Sequence, residues 1–319
     1  MPNHHGTLSC FLHPNSGGIV DDTIITRLGP QSFYVVTNAA CRNKDVAYLT
    51  ESIKNWESDG NEAVQWVILE GQGLIALQGP RSAQILEPLI ADITENKLVD
   101  IFFGQSKFIK LRLASGETSP LLVSRGGYTG EDGFEISIPP EETVHVAEFL
   151  LTSGGEDNLR LGGLGARDSL RLEAGMCLYG HDLDDTTTPV EAGLSWIISK
   201  DRRTEGNFNG AEVIIPQLKA KKDGGTGVSR RRVGLFIEGA PAREGAEIVD
   251  VEGDAIGKIT SGCPSPTLQK NIAMGYIKEG YHKSGTDVFV VVRGKKRKAV
   301  VTWMPFVPSK YWKGGITPG

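Results

Sequence analysis

Three stretches hold residue types that could do chemistry. The first is Gly17-Gly18-Ile19-Val20-Asp21-Asp22-Thr23-Ile24-Ile25-Thr26, which places two carboxylates inside an apolar run. In a strand, adjacent side chains face opposite ways, so one aspartate faces solvent and the other a pocket, rather than the two forming a dyad. Ile24 shares the face of Asp22, and a carboxylate against an apolar surface is costly unless a partner satisfies it. An aspartate that caps a local turn is the alternative reading. The second stretch runs from Ser124 to Ile136, with Gly126, Gly127, Gly130 and Asp132-Gly133. These glycines let the backbone turn tightly and approach a ligand. Glu135 follows in a strand, where its carboxylate could accept two N–H donors from one edge of a heterocycle or simply face solvent. The third is Gly165 to Gly175, a helix closed by Gly175. Arg167 and Arg171 share one face of it, as do Ser169 and Glu173. An arginine fork there could bind a carboxylate or a heterocycle oxygen; a surface salt-bridge lattice is the alternative.

Other chemistries are disfavoured. No Walker loop, GxGxxG, GxSxG or HExxH occurs in the chain, so the common nucleotide-binding and hydrolase signatures are missing. Cys10, Cys41, Cys177 and Cys263 are far apart and form no CxxC, so they read as free thiols in a reducing compartment. His4, His5 and His13 read as part of a solvated, mobile end. The net charge of -5 argues against a general nucleic-acid binder, which is usually basic.

Short elements position these stretches. Phe33–Val36 reads as a strand, followed by an amphipathic helix from Lys44 to Trp56 with Val46, Leu49, Ile53 and Trp56 on one face. Strands at Trp66–Leu69 and Leu74–Leu77 flank Gly71-Gln72-Gly73 as a hairpin. Ser82 is placed to cap a helix through Leu86. A strand at Phe134–Ile138 precedes Pro139-Pro140 and a helix from Glu141 to Leu151. Lys219 to Arg232 carries six basic residues and reads as an exposed loop, or as a docking site for an acidic partner. Beyond it, strands at Val233–Ile237, Ala255–Thr260, Ala273–Ile277, Val288–Val292 and Lys298–Thr302 suggest a small barrel or sandwich. With 319 residues, 39% hydrophobic and 23% charged, the chain can hold two or three domains of ordinary globular composition. It has no apolar run of membrane-spanning length. Its start resembles neither a secretory signal nor a transit peptide.

Taken together, the words GGIVDDTIIT, FYVVTNAA, LIALQGP, GYTGEDGFEIS, GARDSLRLEAGMCLYGHDLD, TTPVEAGLSW, VGLFIEGAPAR, GKITSGCPSP, NIAMGYI and MPFVP resemble the T-protein of the glycine cleavage system, in order and spacing, along nearly the whole chain. Family members carry a further segment before the position of Gly6, which the resemblance implies this chain lacks. The implied fold is α+β and multidomain. Residues 1–77 would be the remnant of a folate-binding domain and 78–191 a second folate-binding domain. Residues 192–319 would be a linker and a C-terminal β-barrel.

The resemblance implies an aminomethyltransferase of the mitochondrial matrix. It would pass the methylene of an aminomethyl group, carried on the lipoyl arm of the H-protein, to tetrahydrofolate, releasing ammonia and 5,10-methylenetetrahydrofolate. Tetrahydrofolate would be a co-substrate, and no metal, nucleic acid or membrane is implied. A truncated folate- or H-protein-binding remnant, or a related folate-dependent demethylase domain, are the alternatives. The family's essential aspartate falls on Asp22, its pterin-binding glutamate on Glu135 and its folate-contacting arginine on Arg167. Tyr34, Val36 and Asn38 lie on its folate-lining strand, and Tyr311 matches a folate-contacting tyrosine. A fixed carboxylate at Asp22 would orient the folate nitrogens and stabilise positive charge as ammonia leaves. Asp21 would face solvent, so Asp21→Asn should shift stability by under about 0.5 kcal/mol.

Overall fold

A computed structural model describes residues 1–315. The first sheet is antiparallel, with β1 (His5–Leu12), β2 (Ile19–Gly29) and β3 (Ser32–Val36) in that order. Helix α1 (Arg42–Ser58) follows it. A second antiparallel sheet holds β4 (Gly73–Gln78), β5 (Ser106–Ile109), β8 (Leu121–Arg125) and β9 (Gly133–Ile138), in the order β4-β9-β8-β5. The small ribbon β6 (Arg112–Leu113) and β7 (Gly116–Glu117) lies between β5 and β8 in sequence. Helices α2 (Ser82–Leu86) and α3 (Pro140–Gly154) supply Leu86, Val146 and Leu150 to the core beneath this sheet. Helix α4 (Leu164–Glu173) comes next, then α5 (Lys200–Glu205) and α6 (Ala211–Leu218).

The remaining chain is a closed six-stranded barrel. Its strands are β10 (Arg230–Ile237), β11 (Glu247–Val249), β12 (Ala255–Ser265), β13 (Lys270–Lys278), β14 (Asp287–Val292) and β15 (Lys295–Thr302). They close in the order β10-β13-β12-β11-β14-β15. Alternate side chains such as Val233, Leu235, Ile237 and Val288, Val290, Val292 fill its interior, as the period of two requires. Closure removes the free edges that an open sheet of this length would expose. The fold is therefore α+β with a C-terminal barrel, as expected from the sequence.

Several local expectations fail. Trp66–Leu69 forms no strand, because its backbone finds no ladder partner among the described residues; Val67 is 77% exposed. A short apolar run becomes a strand only if an edge is there to pair with it. Ser82 lies inside α2 rather than capping it; Arg81 holds the cap position, and the Ser82 hydroxyl is buried. The start of the chain is no mobile end: β1 pairs with β2 from His5 to Leu12, and His13 meets Asp185 at 2.8 Å. The basic loop ends early, because Arg230, Arg231 and Arg232 belong to β10, where Arg230 and Arg231 pair with Glu191 and Glu279. β11, which closes the barrel, was too short at three residues to stand out by pattern. All four cysteines are free thiols, and three of them are buried.

Candidate active site

The register of the first sheet sorts its side chains onto two faces. Asp22 lies opposite Cys10, Ile24 opposite Val36, and Thr26 opposite Tyr34. Directly paired residues share a face, so Asp22, Tyr34 and Val36 point the same way. Asp21 points to the other side. That side is not solvent: α1 packs over it, Tyr48 stacks on Phe11 at 5.3 Å, and Asp21 is 0% exposed. The expectation that Asp21 faces water is thus wrong. Strand alternation fixes which faces differ but not what covers each of them.

Asn38 ties the two aspartates together. Its backbone N–H donates to Asp21 Oδ2 at 2.9 Å, and its Nδ2 donates to Asp21 Oδ1 and to Asp22 Oδ1, each at 2.9 Å. Burial and the neighbouring Asp21 charge push the Asp22 carboxyl up to about 6, against the opposing effect of the Asn38 hydrogen bond. Asp22 therefore titrates close to neutrality, the range in which a carboxylate can change state during function.

The second sheet meets this face. Tyr34 donates through its hydroxyl to Ser137 Oγ on β9 at 3.1 Å, and Gln72 Nε2 donates to the same oxygen at 3.2 Å. Ser137 and Glu135 are two apart on β9, so they share a face. Burial raises Glu135 above the usual carboxylate range while Arg167 pulls it back. Glu135 also pushes Tyr34 upward, behind the larger effect of burial. Tyr34 and Glu135 are thus neighbours, and Arg167 lies within electrostatic reach of Glu135.

The glycine-rich loop brings the third stretch in. Arg125 holds Asp132 in a two-pronged ion pair at 2.8 and 2.6 Å, pinning the ends of the loop. Gln78 at the end of β4 donates to the Gly126 carbonyl and accepts from the Thr129 hydroxyl. Gly130 sits at φ +76°, and a Cβ there would meet Ala174 Cβ at 2.9 Å, so only glycine lets the loop lie this close to the end of α4. Tyr128, carried by the loop, packs its ring 4.6 Å beneath the Arg167 guanidinium. Its phenol is pushed well above the ordinary range by burial, with Asp22 contributing in the same direction. Tyr128 is the residue that links Arg167 to the Asp22 face. The sequence held it in plain view inside the glycine-rich stretch, but nothing marked it out from a packing tyrosine.

The arginine fork does not form. Arg171 is 2% exposed and committed: it donates to Asp168, to Asp182 at 2.7 Å and to Ser261 at 2.8 Å. Glu173, beside it, accepts from Ser265, Thr267 N and Thr267 Oγ1. The C-terminal half of α4 thus clamps the barrel, and of the two arginines only Arg167, in the N-terminal half, is left exposed. Tyr311 stacks on Phe103 with ring centroids 4.0 Å apart. It sits beside the second sheet, where Lys310 pairs with Glu131 of the glycine-rich loop at 2.8 Å.

Two α+β sheets joined to a closed six-stranded barrel, with acidic and basic side chains gathered between the sheets and α4, define the class. Residues 1–202 match the family described as the GCVT N-terminal domain, and residues 230–308 match the glycine cleavage T-protein C-terminal barrel domain. The chain belongs to the glycine cleavage T-protein family, the aminomethyltransferases. It is 49% identical over 308 residues to the mitochondrial aminomethyltransferase of Solanum tuberosum, covering 97% of this chain and 71% of that one. It is 50% identical to a probable mitochondrial aminomethyltransferase of Schizosaccharomyces pombe, covering 97% and 74%. The human mitochondrial aminomethyltransferase is 46% identical, with 98% and 72% covered. The solved structure of glycine cleavage system aminomethyltransferase T from Bartonella henselae superposes with a TM-score of 0.84 at 36% identity, covering 98% of this chain and 79% of that one.

Proposed function

We propose that this chain transfers the methylene of an H-protein-bound aminomethyl group to tetrahydrofolate, giving 5,10-methylenetetrahydrofolate and ammonia. The observation that carries the reading is that Tyr34, on the face of Asp22, reaches Ser137 on the Glu135 face of β9, while Arg167 lies 4.6 Å over Tyr128 of the glycine-rich loop. The donor set suits a pterin. Its guanidine-like edge presents N–H groups, and a half-buried carboxylate such as Glu135 can accept two of them. Arg167, 4.6 Å over the Tyr128 ring, can donate to a heterocycle oxygen. Tyr34 and Val36 line the same face, and Asn38 fixes the orientation of Asp22. Tyr311, stacked on Phe103, would bound the site beside the second sheet.

Asp22 is proposed as the catalytic residue. Its ionised carboxylate orients the attacking folate nitrogen and stabilises the positive charge that develops as ammonia leaves. One preorganised group of this kind is worth about 3–4 kcal/mol of barrier. The lipoylated H-protein is the proposed partner; the relatives' names support the mitochondrion as the compartment, and the matrix within it is proposed from the family resemblance. The test is formation of methylenetetrahydrofolate from aminomethylated H-protein and tetrahydrofolate. Folate binding without turnover would favour the non-catalytic binding alternative.

A further inference from the structure

Behind Asp22, on the far face of β2, a second carboxyl has no use in the chemistry described so far. The first turn of α1 places Asp45 against Asp21. Asp45 is 3% exposed and Asp21 0%. Neither buried oxygen of Asp45 is met by an N–H donor, and the Thr37 hydroxyl is the one neutral donor beside it. The nearby cation, Lys44, is turned away, and its Nζ serves the Tyr179 hydroxyl and Asp185. Thr37 and the Cys41 thiol complete the polar surroundings of the pair.

Two carboxyls side by side in a buried setting do not both ionise, and the neutral one becomes a hydrogen-bond donor. The hydrogen bonds say which is which. Asp21 accepts an N–H of Asn38 on each oxygen, at 2.9 Å, and donors of this kind favour the ionised form. Asp45 receives no N–H, only the weaker contact of the Thr37 hydroxyl. We propose that Asp45 is a positioning residue whose carboxyl shares a proton with the Asp21 carboxylate, so that the pair holds Asn38, and through it Asp22, in place.

The path is short and continuous: Asp45 to Asp21, Asp21 to Asn38, and Asn38 Nδ2 to Asp22 Oδ1 at 2.9 Å. Asn38 Nδ2 has only two hydrogens for its three acceptors, the third being the Asp22 carbonyl at 3.2 Å. Its orientation is therefore sensitive to how firmly Asp21 is held. Ionising Asp45 would remove its donor proton and set a second buried charge beside Asp21, which loosens Asp21 and the Asn38 amide it holds. Burial and the Asp21 charge raise Asp45 above the usual carboxylate range. A group raised in the folded state stabilises the fold at low pH and loses that contribution as pH climbs through its folded value. The arrangement thus weakens on the alkaline side. The inference rests on Asp22 being the catalytic residue, although the proton pair can be observed without that reading.

The experiment compares the full-length wild type with Asp45→Asn, Asp45→Ala and Asp22→Asn. In the infrared spectrum of protein labelled at the aspartate carboxyl carbon, wild type and Asp22→Asn should show a protonated-carboxyl stretch at neutral pH, and Asp45→Asn should not. Asparagine donates permanently through Nδ2. Asp45→Asn should therefore keep kcat within about threefold of wild type and lose the decline in kcat at alkaline pH, while Asp45→Ala should lose roughly tenfold in kcat with little change in folate affinity. Absence of the band from the wild type overturns the proposal, and so does a kcat in Asp45→Asn as low as in Asp45→Ala. A wild type that neither binds folate nor turns over refutes the functional reading instead, and the infrared band then decides the proton pair by itself.

Discussion

Replacing Asp21 by asparagine keeps the shape of the side chain but removes its charge. In the structure Asp21 accepts two hydrogen bonds from Asn38, one on each oxygen, and is 0% exposed. Asparagine can accept only one of them, and its NH2 group then faces the remaining Asn38 donor. Losing one charge-assisted hydrogen bond and leaving a buried donor unpaired costs about 1–3 kcal/mol. Relief of repulsion with Asp22 offsets part of this. Asp21→Asn should therefore destabilise by about 1–3 kcal/mol in urea unfolding at neutral pH, well above the 0.5 kcal/mol typical of exposed positions. The same change acts on activity. Burial is the largest cause of the raised Asp22 carboxyl, at about 6, and the Asp21 charge is the next. If ionised Asp22 is required, wild-type kcat/KM should halve near pH 6 and fall about tenfold for each further unit of acid. Removing Asp21 lowers Asp22, so the acid limb should move to lower pH by at least about half a unit. It should not move all the way to an ordinary aspartate, because burial remains. A stability change under about 0.5 kcal/mol together with an unmoved acid limb would refute this account of the pair.

Three further substitutions probe the rest of the site. Glu135→Ala should weaken tetrahydrofolate binding by about 1–3 kcal/mol, measured by calorimetry, since it removes a charged hydrogen-bond acceptor; unchanged affinity would take Glu135 out of the cavity. Tyr34→Phe removes only the hydroxyl that reaches Ser137 and should cost about 0.5–1.5 kcal/mol of stability, with the fold unchanged by circular dichroism. Arg171→Met leaves the buried Asp182 without its cation. It should destabilise by about 3–5 kcal/mol, and Asp182→Leu in the same chain should recover most of the loss; additive losses in the double variant would show that the pair is not the clamp.

The parts of the fold that were legible in the sequence are those with strong local signals. The barrel strands alternate and are bounded by turn residues, and four of the five expected strands were extended by two or more residues rather than moved. Glu135 and Arg167 could be singled out because their types and settings are unusual. What could not be read was cover. Asp21 and Asp22 are chemically alike, and alternation alone does not say that a helix lies over Asp21. Asp45 sat in a helical repeat as one more polar residue, because its burial depends on the docking of α1 and not on its neighbours in sequence. Arg171 looked like a partner for Arg167 at i,i+4. Tertiary partners, Asp182 and Ser261, 11 and 90 positions away, claimed it instead. Trp66–Leu69 failed for the converse reason, since an apolar run predicts a strand only when an edge waits for it.

The catalytic role of Asp22 is tested by single-turnover formation of methylenetetrahydrofolate from aminomethylated H-protein, wild type against Asp22→Asn, with tetrahydrofolate affinity measured in parallel. Asparagine keeps the shape and the Asn38 neighbourhood but cannot carry the charge. The account predicts turnover by the wild type and a fall of roughly 10²–10³ in rate for Asp22→Asn, with affinity changed by less than about threefold, since the loss falls on the transition state. Near-normal turnover in Asp22→Asn, or a loss that follows affinity alone, would contradict it.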